Sequence, residues 1–305
     1  MNIIKYHTLT WIDFKDPSPE DIRYLQEHFN IHPLAIEEFV TPTYQPKAIH
    51  YDNCLYLSIH TPLFDPEKRT SYPGELDIIV TADHLITGHR LSIYPVEHFF
   101  HQLDQSEGKR RHYLSHTPAH LLHHLIENLL NSCFPRLEHI AESLTQIEDQ
   151  VFSDTDNEKE MVREISTVKR DILNFRRTLK PQRSILESLV QKESPFVPHD
   201  LKAYYQDLIS TNIRIWNILE NSKETIESLE ETNNSLLSNK LGLTMKILTV
   251  FSAVLLPMTV YTNLLAMNRD AIPLGNHPNA FWIHASIMLV VAIFTAAIFR
   301  VKKWF

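Results

Sequence analysis

The chain of 305 residues carries 29 Lys and Arg against 37 Asp and Glu, a formal net charge of −8, with 18 His and a mean hydropathy of −0.21. Its length accommodates a water-soluble domain beside a separate membrane segment, and its acidic balance excludes general nucleic-acid affinity while tolerating cations. The two cysteines, Cys54 and Cys133, have no metal-binding spacing and exclude a disulfide framework in a reducing cytosol.

Residues 1–7 lack a basic region followed by an apolar core, so no cleavable signal peptide is expected. Residues 1–115 alternate short strand-like and helical segments and predict a cytoplasmic α/β domain. Residues 3–11 and 54–60 have strand character, and residues 18–29 read as a helix after Pro17. Residues 75–81 and 85–87 suggest a hairpin around Asp83 and His84. Pro33, Pro42, Pro46, Pro62, Pro66 and Pro73 punctuate the connections.

Residues 116–198 form a helical region, in which Leu121, Leu125, Leu129, Leu137, Ile140, Leu144 and Ile147 recur at helical spacing. A second helix is expected over 159–179, ending near Pro181, and a short one over 182–190. Residues 199–242 then repeat apolar side chains every seven positions: Leu201, Leu208, Ile215, Leu229, Leu236 and Leu243, with Ser222 the polar member. The series predicts one uninterrupted stalk helix from about Asp200 through the first membrane span, ~68 residues or ~100 Å long at 1.5 Å per residue. The same repeat also suits a helix that only faces its own core.

Residues 243–267 and 280–300 each reach the ~20 residues that cross a hydrocarbon core. They read as a transmembrane hairpin with an extracytoplasmic loop at 268–279 and a cytoplasmic tail at 301–305. Lys240, Lys246, Arg300, Lys302 and Lys303 flank the cytoplasmic ends, which places both termini inside by the positive-inside rule; Trp282 and Trp304 suit the interfaces. At 100° per residue, Met245, Leu248, Thr249, Ser252, Leu256, Thr259 and Asn263 share about a third of the first span's circumference. Ile247, Val250, Val254, Met258, Tyr261 and Leu265 take the opposite side. Hydroxyls and amides are costly against lipid, so the first face predicts an aqueous path, with Met245, Leu248 and Leu256 as an apolar constriction. Small polar residues that only pack helices are the competing reading of that stripe. A single span cannot enclose a path, so a cyclic homo-oligomer in the bilayer is expected.

The segment from Asn239-Lys240-Leu241-Gly242-Leu243-Thr244-Met245-Lys246-Ile247-Leu248-Thr249-Val250 through Leu256-Pro257-Met258-Thr259 to Ala266-Met267-Asn268 resembles the CorA-type divalent-cation transporters. Trp11-Ile12-Asp13, His32-Pro33-Leu34-Ala35-Ile36-Glu37, and Lys169-Arg170-Asp171 with Arg176-Arg177 and Pro181 resemble them too. The resemblance implies an α/β domain with a long-helix funnel and stalk and a two-helix transmembrane hairpin, mainly α overall. It also implies a homopentamer in the inner membrane and uptake of Mg2+, Co2+ or Ni2+. By the same resemblance Asn268, Met267 and Ala266 form the selectivity filter, and Asp207 belongs to a regulatory metal site. No further cofactor is implied. Ala266 replaces the family's glycine, and Ile272-Pro273-Leu274 lacks the acid that many magnesium-transporting members carry, which keeps Zn2+ open as the substrate.

No Gly-x4-Gly-Lys-Ser/Thr, Gly-x-Ser-x-Gly, His-Glu-x-x-His or Gly-x-Gly-x-x-Gly pattern occurs, so an enzyme is not expected. Cys54 near His50 and His60 is too generic for a catalytic pair. His116, His120, His123 and His124 lie at helical spacings that can gather imidazoles for zinc, with no Cys or acid noted at ligand spacing. A membrane-anchored sensor or scaffold that lost transport is the rival from another class.

Overall fold

The computed structural model describes residues 1–43, 45–153, 157–191, 194–267 and 277–302, which fall into two units, Met1–Glu230 and Glu231–Phe305. In the first unit β1 (Asn2–Tyr6), β2 (Leu9–Lys15), β3 (Lys47–His50), β4 (Leu55–Asp65), β5 (Thr70–Val80) and β6 (His84–His89) form one sheet in the order β1-β2-β6-β5-β4-β3. Every pairing is antiparallel except β2 with β6. The strand expected over 3–11 is two strands. His7 takes φ 52°, the chain reverses, and Tyr6 pairs with Leu9. The hairpin expected near Asp83 is present, with Val80 opposite Leu85.

Alternation along the strands gives the sheet two apolar faces. Ile12, Phe14, Tyr56, Ile79 and Ile86 pack with Leu25 of α1 (Pro19–His28) and with Ala35, Ile36 and Phe39 of α2 (Pro33–Val40). Helix α1 starts where expected because Ser18 caps it: Asp21 N–H donates to Ser18 Oγ at 3.2 Å, and the Asp21 carboxylate accepts from Ser18 N–H at 2.9 Å. The other face presents Trp11, Leu55, Leu57, Ile59, Leu76, Ile78, Val80 and Leu85 to the larger core. That core draws on α3 (Tyr94–Gln105), α4 (Glu107–Leu114), α5 (Pro118–Asn131), α6 (Cys133–Val151), α7 (Glu158–Leu179), α8 (Gln182–Gln191) and the opening half of α9 (Lys202–Met267). The sequence reading located neither α2 nor α3 and α4, whose runs are short and broken by prolines or charges.

Asp77 on β5 is a buried acid in the middle of this sheet, opposite Ser58 of β4. Burial pushes its carboxyl up to about 7, against the pull of the Tyr56 hydroxyl, which donates to Oδ1 at 2.7 Å; the nearby Glu75 charge adds to the rise. A raised carboxyl means the folded state holds the proton, so this stabilisation is full below the ordinary value of 3.8 and is lost as pH rises from there through about 7. Asp77→Asn keeps an acceptor for Tyr56 and removes the titration. The variant's advantage over the parent is expected to widen from about 1–2 kcal/mol near pH 5 to about 4 kcal/mol at about pH 8. Parallel melting curves of the full chain in detergent at both pH values would contradict this.

Helix α9 is unbroken in secondary structure from Lys202 to Met267, with Pro257 inside it. Leu201, just ahead of it, and Leu208, Ile215, Ser222 and Leu229 within it are buried, whereas Leu236 and Leu243 are 43% and 60% exposed. The heptad series therefore serves the core of the first unit up to Leu229. Ion pairs of Lys169 with Glu230 and Arg176 with Glu220 tie α7 to the same stretch. In the second unit, the later part of α9 and α10 (Ala280–Val301) are both long and apolar enough to cross a membrane.

Candidate ion path

Met245, Leu248, Thr249, Ser252, Leu256, Thr259, Asn263 and Ala266 are all exposed along α9. On the opposite side Val250 is buried, and Val254, Met258, Tyr261 and Leu265 are half-buried; Ile247 is exposed. At 100° per residue the sheltered set is centred about 180° from the polar stripe. The sheltered line of α10 runs through His284, Met288, Ala292, Thr295 and Phe299, again at helical spacing. Tyr261 Oη lies 2.7 Å from His284 Nδ1 and joins the two lines. The neighbouring span thus occupies the apolar side and leaves the polar stripe open.

The hydroxyls of that stripe share one orientation. Thr249 Oγ1 donates to Met245 O at 2.7 Å, Ser252 Oγ to Leu248 O at 2.9 Å, and Thr259 Oγ1 to Leu255 O at 2.9 Å. Each hydrogen is used inside the helix, so each oxygen offers only lone pairs outward. A hydrated cation presents its water hydrogens to the surroundings. Acceptors without competing donors are what such a shell requires.

Asn268 lies outside the described residues, as does the side chain of Met267 and with them the filter tripeptide as a unit; Arg269, Asp270, Lys303 and Trp304 also lie outside. Trp282, expected at an interface, is 70% exposed at the start of α10. The sequence reading assigned nothing to His284. Its signal was available: it is the one ionisable residue in the second span's apolar run.

The histidine group divides in two. His116 and His120 stack on each other at 4.9 Å between ring centroids, whereas His123 and His124 join Glu127, with ligand atoms within 4.8 Å of one another. The sequence reading found no acid at ligand spacing; Glu127, three residues beyond His124 on α5, is that acid, and its carboxylate is 3.1 Å from His124 Nδ1. Burial lowers the His123 imidazole below its ordinary value and the His124 charge lowers it further, while Glu127 and the exposed Asp207 of α9 act to raise it. A neutral imidazole is the form that ligates metal. Two imidazoles with carboxylates suit zinc, nickel or cobalt better than magnesium.

An α/β unit, a long helix and a pair of apolar helices with one hydroxyl-lined face define a membrane cation transporter. A family model described as CorA-like Mg2+ transporter protein matches residues 6–303. The chain belongs to that family and is a divalent-cation transporter of the CorA type, not an enzyme. It is 25% identical over 295 residues to the putative metal ion transporter YfjQ of Bacillus subtilis, covering 97% of this chain and 89% of that one. It is 24% identical over 299 residues to the cobalt/magnesium transport protein CorA of Thermotoga maritima, covering 97% and 84%. The structure of the CorA magnesium transporter from Methanocaldococcus jannaschii superposes with a TM-score of 0.84 at 22% identity, covering 100% of this chain and 95% of that one.

Proposed function

We propose that the chain assembles as a homopentamer in the cytoplasmic membrane, both termini in the cytosol, and admits Mg2+, with Co2+ or Ni2+ as further substrates. The observation that carries this reading is the exposed α9 face, whose hydroxyl oxygens point lone pairs away from the helix on the side that α10 leaves open. Five such faces around an axis make a continuous acceptor lining. Leu236, Leu241 and Leu243, exposed at 43%, 68% and 60%, are apolar surface available to neighbouring copies. In this arrangement residues 1–115 and 116–198 form the cytoplasmic α/β and funnel regions, 199–242 the stalk, 243–267 and 280–300 the spans, 268–279 the outer loop and 301–305 the tail.

An inside-negative potential favours entry of a divalent ion by about 4.6 kcal/mol per 100 mV, so no chemical energy source is needed. Met245, Leu248 and Leu256 close the path by excluding water, and Asn268 with Met267 and Ala266 selects at the outer mouth through carboxamide oxygens that accept from the ion's water shell. Asp207, with His123, His124 and Glu127 at its side, senses cytosolic metal. Zn2+ is the alternative substrate, left open by Ala266 in place of the family's glycine.

Proteoliposomes loaded with a metal-sensitive dye test this reading. Uptake is expected to follow an imposed inside-negative potential, to vanish in Asn268→Ala, and to lose its inhibition by cytosolic-side metal in Asp207→Ala. Flux of no divalent metal, the result a scaffold gives, would overturn it; unchanged flux in Asn268→Ala would remove the filter assignment. Comparing Mg2+, Co2+, Ni2+ and Zn2+ in the same vesicles ranks the substrates.

A further inference from the structure

His123, His124 and Glu127 gather on α5 of the first unit, apart from the spans and their polar stripe. Their ligand atoms lie within 4.8 Å of one another, and His124 Nδ1 is already 3.1 Å from a Glu127 oxygen. Zinc bonds of about 2.0–2.1 Å put the corners of a tetrahedron about 3.4 Å apart, so that pair spans one edge. A side-chain rotation that brings the His123 nitrogen in by about 1–2 Å fills a third corner and leaves the fourth to water.

His139 and Glu142 on α6 make the same contact at the same spacing, at 3.2 Å, but join no group of three ligands among the described residues. What sets the α5 group apart is His123. It is 6% exposed and hydrogen-bonded to the Tyr204 backbone, and its ring centroid is 5.5 Å from that of Tyr204 and 5.8 Å from that of Tyr205. An imidazole held by a carbonyl through one nitrogen is oriented to ligate through the other. The His124 and Glu127 side chains are 29% and 42% exposed, so an ion reaches the group from solvent. Magnesium demands an octahedron of oxygens and gives up its water reluctantly, whereas zinc, nickel and cobalt take imidazole readily.

The place of the group gives an ion there a consequence. Tyr205 is fully buried, and its hydroxyl donates to Ala119 O at 2.8 Å, one turn before His123, so the opening turns of α9 are fastened to α5 at this point. Helix α9 then runs on in secondary structure to Met267. A ligand that prefers one arrangement shifts the population toward it, and an ion that stiffens α5 at His123 prefers the arrangement in which α9 lies against it. We propose that His123, His124 and Glu127 form an inhibitory site for a transition-metal ion, Zn2+, Ni2+ or Co2+, which Mg2+ does not fill, and that its occupation holds the opening turns of α9 in the closed arrangement. The inference deepens the metal-sensing role given above to this part of the chain and rests on it. It assigns the class of metal, and it places the ligands on one helix of one protomer, with Asp207 supplying charge near His123 rather than a bond.

The test uses the full chain in detergent, with Mg2+ in excess and Zn2+ delivered in competition with a chromophoric chelator. One Zn2+ per chain is expected to bind, and His123→Gln, His124→Gln and Glu127→Gln are each expected to weaken it at least about tenfold. His139→Gln should leave it unchanged. Because His124 and Glu127 are half-buried, their variants test the ligands even where His123→Gln fails to fold. Co2+ in place of Zn2+ should give the visible absorption of a tetrahedral site in the parent and not in His124→Gln, a signature that altered packing alone does not supply. In proteoliposomes, Zn2+ on the face that carries the first unit should lower Mg2+ uptake at least about fivefold in the parent, and the ratio with and without Zn2+ should approach one in His124→Gln. Zn2+ held no more tightly than Mg2+, an affinity unchanged in both His124→Gln and Glu127→Gln, or bound Zn2+ that leaves uptake unaltered would each overturn the proposal. A parent that binds Zn2+ as expected but passes no divalent cation would instead overturn the transport reading.

Discussion

Replacing the three stripe hydroxyls with shape-matched apolar groups, Thr249→Val, Ser252→Ala and Thr259→Val together, is expected to cut divalent-cation flux about 100-fold. The helix itself should tolerate the change, since each hydroxyl hydrogen is spent on a carbonyl that already serves the backbone ladder. What disappears is the outward lone pairs. Three lost acceptors at about 1 kcal/mol each raise the barrier by about 3 kcal/mol, which is about two orders of magnitude in rate. Two hydroxyls of the second span provide the control. Ser286 Oγ donates to Trp282 O at 2.8 Å and Thr295 Oγ1 to Val291 O at 2.9 Å, the same chemistry away from the stripe. Ser286→Ala with Thr295→Val should leave flux within about twofold, because neither hydroxyl belongs to the path and substitutions outside special sites shift energies by only about 0.5 kcal/mol. Equal losses in both variants would mean that the hydroxyls serve packing, the competing reading of the stripe.

The spans and their polar face were legible because their signal is local: length, apolarity and angle at 100° per residue need no knowledge of the rest of the chain. The side that α10 shelters followed from the same angles, as Val250, Val254, Met258, Tyr261 and Leu265 show. The heptad series was legible as a pattern but not as a partner. A repeat of seven looks the same whether it faces its own core or another copy, and the structure divides it, burying Leu208, Ile215 and Leu229 while leaving Leu236 and Leu243 exposed. The reversal at His7 had no glycine or asparagine to announce it, so two strands read as one. Contacts between elements were illegible for a different reason. No spacing rule links Tyr261 to His284, or Asp207 to His123, since the chain between them sets the distance. His124 and Glu127 are the exception: three residues apart on one helix, they were within reach of a spacing argument.

Asp171→Ala is expected to be the most destabilising single substitution in the first unit outside the apolar core, at about 3–5 kcal/mol. Asp171 is 2% exposed on α7, and its two oxygens serve different elements: Oδ1 accepts from Ser71 N–H of β5 at 2.5 Å, and Oδ2 pairs with the Arg136 guanidinium of α6. Asn174, one turn along, donates to Ser71 O and Thr70 Oγ1, both at 3.1 Å, so this stretch of α7 replaces the missing neighbour at the end of the β5 ladder. Truncation leaves a buried amide and a guanidinium without an acceptor. The Arg136 side chain is only 25% exposed, its Cζ sits 3.5 Å over the Phe64 ring, and its Nε is already buried and unpaired. Most of the cost therefore comes from stranding the charge, and removing the charge as well should return part of it. Arg136→Met in the Asp171→Ala background is expected to recover about 1–3 kcal/mol, while Arg136→Met alone destabilises by leaving the buried Asp171 carboxyl without its cation partner. Asp171→Asn keeps the acceptor for Ser71 and should fall between the parent and the alanine variant. Additive losses in the double variant, measured by thermal melting of the full chain, would show that the amide contact to Ser71 rather than the ion pair holds α7 to the sheet.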